Sequence, residues 1–178
     1  MGKELFSQDA LVSWEELLLE TGRILEGDNA ELEAKWMIEE VSGITQLCDY
    51  KEQAKPIQLK RLNRLIERRV AGEPLQYVLG RWQFRELDLF VDDRVLIPRP
   101  ETEILVGYAL EECKSKKSDL NRTRPLNVAD LGCGSGAIGL SIAREVQEVS
   151  VWCTDASQGA IAVTRANLAG LGMAGQKV

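Results

Sequence analysis

The passage from Leu126 to Gly172 sets the strictest limit on the fold. "LNVADL" has the pattern of a short strand and is followed directly by the glycine-rich "GCGSG". "AIGLSIAREV" then has helical spacing, "VSVWCTD" reads as a second strand, and "SQGAIAVTRANLAGLG" as a second helix with glycines at its end. Strand, loop, helix, strand, helix in that order is one βαβα passage of a parallel, doubly wound sheet. Glycines at the strand-to-helix turn remove the Cβ that would hold a ligand away from the backbone. The loop is therefore the first candidate for a binding site, at the carboxyl ends of the strands.

Two nucleoside cofactors compete for it. "GSGAIG", Gly134 to Gly139, matches the G-x-G-x-x-G of dinucleotide sites, but the register is poor. The glycine that leaves the strand is Gly132, two residues earlier. Aligned from the strand, the pattern is D-L-G-x-G-x-G: Asp130, Leu131, Gly132, Cys133, Gly134, Ser135, Gly136. Asp155 ends the second strand, where a carboxylate can accept hydrogen bonds from both ribose hydroxyls of a nucleoside. That suits NAD as well, so Asp155 supports a nucleoside cofactor without choosing one. The D-L-G-x-G-x-G form resembles the signature of class I S-adenosylmethionine methyltransferases. In that case Asp130 is placed for the amino group of the methionine moiety or a water beside it. S-adenosylmethionine has no pyrophosphate, so the loop need not present a helix N-terminus to phosphate.

Upstream, the periodicity is helical. Ser13 with Glu16 has capping-box form and precedes a stripe of Leu17, Leu18, Ile24 and Leu25. Asp28 with Glu31 repeats the signal ahead of Leu32, Trp36, Met37 and Val41, with Gly43 as a stop. A third helix is expected from Pro56 to Val70, apolar at Leu62, Leu65, Ile66 and Val70. Such helices bury their stripes only against one another, so a small bundle is expected, with Trp14 and Trp36 as core anchors. "GEPLQYVLG" breaks the helical period. "WQFRELDLFV" alternates as a hairpin, with Trp82 and Phe84 on one arm, Leu87, Leu89 and Val91 on the other, and a turn at Arg85-Glu86. In "VLIPRPETEILVGYALEECKSKK", Pro100 and the acids Glu101 and Glu103 suit a helix start. Its buried face is expected at Ile104, Leu105, Tyr108 and Ala109, and "KSKKSDLNRTRP" is expected as a surface loop.

Three blocks, "GEPLQYVLG", "FVDDRVLIPRPETEILV" and "VADLGCGSGAIGLSIA", resemble in order and spacing the HemK/PrmC family of protein-(glutamine-N5) methyltransferases. The resemblance implies an α + α/β chain: an N-terminal helical bundle (1–73) that recognises the release factor, a β-hairpin linker (74–98), and a partial Rossmann-like class I methyltransferase domain (99–178). It implies S-adenosyl-L-methionine as cofactor, bound by Asp130, Leu131, Gly132, Cys133, Gly134, Gly136 and Asp155. It puts Pro98, Arg99, Pro100 and Glu101 beside the active site. The implied substrate is a peptide-chain release factor, methylated on the glutamine of its Gly-Gly-Gln motif.

One departure matters. The family's Asn-Pro-Pro-Tyr motif grips the substrate amide, and no Asn-Pro dipeptide occurs in this sequence. No catalytic residue is therefore assigned, and the chain reads as truncated before that motif. A non-catalytic form that binds only the release factor or the cofactor is the alternative. The part after Leu126 is only about 50 residues, near the size at which a domain cannot bury enough to stand alone. A folded helical half and a marginal, edge-exposed second half are expected.

Composition excludes several other chemistries. With no histidine among the 178 residues there is no imidazole acid-base catalyst and no His-assisted zinc site. The four cysteines, Cys48, Cys113, Cys133 and Cys153, include no C-x-x-C, so no metal site is expected. A net charge of −6 argues against direct nucleic-acid binding. Lys60, Arg61, Arg64, Arg68 and Arg69 form a local exception, either a solvated helix face or a docking face for an acidic or RNA-associated partner. No run reaches the roughly 20 apolar residues of a membrane helix, and "MGKELFSQDA" lacks the features of a signal or transit peptide. A cytoplasmic location is expected, an organelle being compatible.

Overall fold

The computed structural model describes residues 5–7, 11–117 and 125–178. The chain divides into two compact units, Met1–Leu79 and Gly80–Val178.

The first unit is helical: α1 (Trp14–Leu25), α2 (Ala30–Ser42), α3 (Pro56–Val70) and α4 (Leu75–Leu79), with a 3-10 turn at Leu47–Lys51. The Ser13–Glu16 capping box forms as expected. Ser13 Oγ accepts from the Glu16 N–H, and the Glu16 carboxylate accepts from the Ser13 N–H at 2.9 Å. At α2 the cap is Asn29 rather than Asp28, and its side chain makes no capping bond. Trp14, Leu17, Met37, Ile38, Leu59, Leu62 and Ile66 are the centre of the core, with Trp36 packed at its edge. Leu32 and Val70 fall outside it and are exposed, Val70 because it is the last residue of its helix.

"GEPLQYVLG" does not break into a linker. It closes as α4, and Leu75 and Val78 enter the bundle core. Arg68 holds this short helix from below, donating to the Tyr77 and Val78 carbonyls and pairing with Glu73. A cation there satisfies the carbonyls a helix end leaves open. The basic run on α3 is largely spent on such bonds. Arg61 pairs with Glu40, Arg68 with Glu73 and Arg69 with Glu33.

The second unit opens with the hairpin β1 (Arg81–Phe84) and β2 (Leu87–Phe90), in the register Trp82↔Leu89 and Phe84↔Leu87. Its turn is at Arg85-Glu86, with Arg85 in the left-handed region at φ 50°. Phe84, Leu87, Leu89 and Val91 are buried. Helix α5 (Pro100–Lys117) begins at the expected proline. Its buried face is Val106, Leu110 and Cys113, whereas Ile104, Leu105 and Tyr108 are exposed. The helix is apolar on both sides, so periodicity could not choose the inner one. It also runs through Lys114 to Lys117, the start of the expected loop. The rest of that loop up to residue 124 lies outside the described residues.

Strands β3 (Leu126–Leu131) and β4 (Val149–Thr154) pair in parallel, Leu126↔Val149 through Leu131↔Thr154. Helix α6 (Ala137–Glu145) connects them and packs on both, and α7 (Gln158–Ala169) follows β4 and lies against β2. One face of the sheet, with Leu126, Asp130, Val149 and Val151, is buried. The other carries Leu131 at 78% and Trp152 at 68% exposure. The alternation follows from the two-residue period of a strand. Among the described residues, no helix is long and apolar enough to cross a membrane.

Candidate functional site

The parallel register brings the carboxyl ends of β3 and β4 side by side, and the glycine loop is tied to both. The Thr154 carbonyl accepts from the Gly132 and Cys133 N–H groups at 2.8 and 2.9 Å. Gly132, Gly134 and Gly136 all have positive φ, of 80°, 54° and 85°. At Gly136 a side chain is doubly barred, because a Cβ would come within 2.8 Å of Leu140 Cδ1 and 3.0 Å of Thr164 Cγ2. Above Gly132 and Gly134, by contrast, no atom of the described residues, chain neighbours aside, lies within 4 Å of a Cβ position. The open side of the loop is free for a ligand.

The two acids take different positions. Asp155 Oδ2 accepts from the Gly134 N–H at 2.9 Å and Oδ1 from the Ser157 N–H at 2.8 Å. The N–H groups of Ser157, Gly134 and Ala156 hold its carboxyl below the ordinary value of 3.8, so it is charged at neutral pH. It is half-exposed, and each carboxylate oxygen has a further lone pair for a hydroxyl. Asp130 is only 8% exposed. Its Oδ2 accepts from the Gly139 N–H at 2.9 Å, in the first turn of α6. Gly136, the N-cap of α6, has no side chain to do this, so the preceding strand supplies the cap. Burial raises the Asp130 carboxyl, the Gly139 bond opposes the rise, and the charge of Asp155 adds to it.

Sequence reasoning placed Cys133 alone among the cysteines near a ligand. The structure turns its thiol inward, 3.4 Å from Thr164 Oγ1, and burial raises its pKa. Cys153 comes as close to the loop's support, since a Cβ on Gly139 would meet its Sγ at 2.5 Å. Burial, Asp130 and Cys133 push the Cys153 thiol up to about 12. Leu131 projects from the end of β3 on the exposed face of the sheet.

The block from Pro98 to Glu101 leads into α5, whose first residues are Pro100 and Glu101. Pro98 is buried, while Arg99, Pro100 and Glu101 are exposed. The Arg99 carbonyl accepts from the Thr102 N–H and starts the helix. Glu103 anchors the hairpin turn, accepting from the Arg85 N–H at 3.1 Å. The Arg85 guanidinium in turn forms a two-point bond, 2.7 Å each, with Glu145 at the end of α6.

Two residues that the sequence did not single out hold the loop from behind. Thr164 Oγ1 donates to the Gly134 carbonyl at 2.8 Å, and Asn167 Nδ2 donates to the Ser135 carbonyl at 2.9 Å. They stand three positions apart on α7, the spacing that puts side chains on one helix face. That spacing was a visible signal, but an ordinary one for any helix.

The arrangement can hold a nucleoside whose ribose hydroxyls reach Asp155 and whose remainder lies over Gly132 and Gly134. The residues present fit S-adenosylmethionine in this sense. Residues 9–80 match the family model described as PrmC N-terminal domain, and residues 117–178 match the methyltransferase small domain. A release factor glutamine methyltransferase of Gloeobacter violaceus is 38% identical over 166 residues, covering 92% of this chain and 55% of that protein. One from Coxiella burnetii is 43% identical over 110 residues, covering 62% and 37%. The human MTRF1L release factor glutamine methyltransferase is 38% identical over 110 residues, covering 62% and 32%. The chain spans about half the length of the first of these relatives and about a third of the other two. With a PrmC N-terminal domain ahead of a partial methyltransferase domain, it belongs to the release factor glutamine methyltransferase family.

Proposed function

We propose that the glycine loop binds S-adenosylmethionine, and that this chain serves methylation of the glutamine side-chain nitrogen in the Gly-Gly-Gln motif of a peptide-chain release factor. The observation that carries the reading is the loop itself. Its first two N–H groups are fixed to the end of β4, and the charged Asp155 stands at its open side. When bound, the cofactor supplies an electrophilic sulfonium methyl group. Asp155 orients the ribose, Gly132 and Gly134 admit the ligand to backbone contact, and Asp130 keeps α6 capped beneath it. Leu131 and the backbone of Cys133 and Gly136 complete the wall. Residues 1–73 recognise the release factor and 99–178 carry the cofactor, with Pro98, Arg99, Pro100 and Glu101 toward the acceptor glutamine. The setting is the cytoplasm or an organelle that carries out translation.

A second reading rests on one sequence observation. It is a non-catalytic form that binds only the release factor or the cofactor, in line with the absence of any Asn-Pro dipeptide from the 178 residues.

Calorimetric titration of the purified chain with S-adenosylmethionine, and separately with NAD, tests the proposal. Saturable binding of the first only is expected, weakened at least about tenfold in Asp155→Ala, the scale of hydrogen bonds to a charged group. Binding of NAD alone would replace the methyltransferase reading with a dinucleotide one.

A further inference from the structure

Asn167 is buried in α7 at 8% exposure, and its amide is fully used. Oδ1 accepts from the Phe90 N–H at 2.7 Å. Nδ2 donates to the Phe90 carbonyl at 3.0 Å and to the Ser135 carbonyl at 2.9 Å. Only one orientation of the amide satisfies these partners, because a carbonyl oxygen cannot face two other carbonyls. One side chain therefore ties the last residue of β2 to the centre of the glycine loop.

We infer that Asn167 is a positioning residue for the cofactor site, setting the Ser135 carbonyl, and with it the turn from Cys133 to Gly136, against the hairpin strand. The inference rests on the cofactor reading proposed above. Thr164 holds the preceding carbonyl, so the two residues fix consecutive peptides from behind. The loop carbonyls of Gly134 and Ser135 are thereby turned toward α7. The Gly134 N–H donates to Asp155, and the Gly136 N–H of the Ser135 peptide donates back to the Cys133 carbonyl at 2.7 Å, which closes the loop as a turn. Helix α7 also packs against the segment after β2. There Arg94 lies across Gly159, where a Cβ would meet the Arg94 side chain at 3.3 Å. Strand β2, its exit and the glycine loop thus share α7 as a common support.

The test is Asn167→Asp in the full chain, read by amide NMR and by S-adenosylmethionine titration. The carboxylate can still accept from Phe90 but cannot donate to either carbonyl. A hydrogen bond to a carbonyl is felt at the nitrogen of the next residue, so the Gly136 and Val91 nitrogens should shift, with the rest of the unit in place. Cofactor affinity should fall about tenfold, the scale of one lost buried hydrogen bond. An unmoved Gly136 nitrogen, or a moved one with unchanged affinity, overturns the inference. If the aspartate unfolds the second unit, Asn167→Ala, which buries no charge, carries the same readings. Unfolding by both variants also overturns it, since Asn167 would then hold the fold rather than the loop. A wild-type chain that takes up no S-adenosylmethionine defeats the cofactor reading instead, and the Gly136 shift still decides whether Asn167 sets the loop.

Discussion

At the scale of single residues, the two acids of the site respond oppositely to pH. Asp130 is raised above its ordinary value of 3.8, chiefly by burial. Its charged form is a cost to the folded state, absent below the unfolded value and complete above the raised folded one. Asp130→Asn keeps an oxygen for the Gly139 N–H and removes that cost. Thermal melts should show the variant gaining on the wild type as pH rises from 3.5 to 7, and a constant difference would contradict the assignment. Asp155 is lowered, chiefly by the Ser157 and Gly134 N–H groups. Its contribution is present above the unfolded value and is lost as pH falls through the lower folded one. The sequence displayed both acids and their distance along the chain. It did not display that Asp130 caps a helix from a strand, because that bond depends on how closely α6 lies over β3.

Elements pack here with little slack. Gly139 lets α6 approach the sheet, and a methyl group there would strike Cys153 Sγ at 2.5 Å and Asp130 Oδ2 at 3.1 Å. Gly139→Ala should cost about 1–3 kcal/mol, the usual scale of overpacking. Cys153→Ala should restore part of that loss in the double variant, so that the two changes are not additive in denaturant unfolding. Additive losses would mean that the helix moves away as a whole. The helices themselves were legible wherever a cap or proline marked a boundary, as at Ser13, Pro56 and Pro100. Helix α4 was not, since five residues are too few to show a period. Nor were the two buried asparagines. Asn63 clamps both backbone groups of Phe6 much as Asn167 clamps those of Phe90. In a sequence such residues look like any polar helix position, and only the tertiary fold supplies the peptide they hold.

On the scale of the whole chain, the two units differ in how completely they cover themselves. The bundle packs its stripes into one core around Trp14, Met37 and Leu62. The second unit leaves one sheet face open at Leu131 and Trp152, although parallel strands are usually covered on both faces. Heating should therefore give two transitions. The lower one should report residues 80–178 and should alone move upward with S-adenosylmethionine, as ligand linkage requires. A single transition would show that the units unfold together. The division into helical and α/β parts was readable from the change in period. The sequence pointed to open strand edges, whereas the bare face and the side chains it carries required the register.

The central claim is that the glycine loop of this chain is held ready for a nucleoside cofactor. The most direct measurement follows the amide resonances of Gly132, Gly134 and Gly136 as S-adenosylmethionine is added, in the wild type and in Asp155→Ala. Saturable shifts centred on these residues and the end of β4, strongly weakened in the variant, are expected. Resonances that stay in place at millimolar cofactor, or that move equally in both proteins, would contradict it.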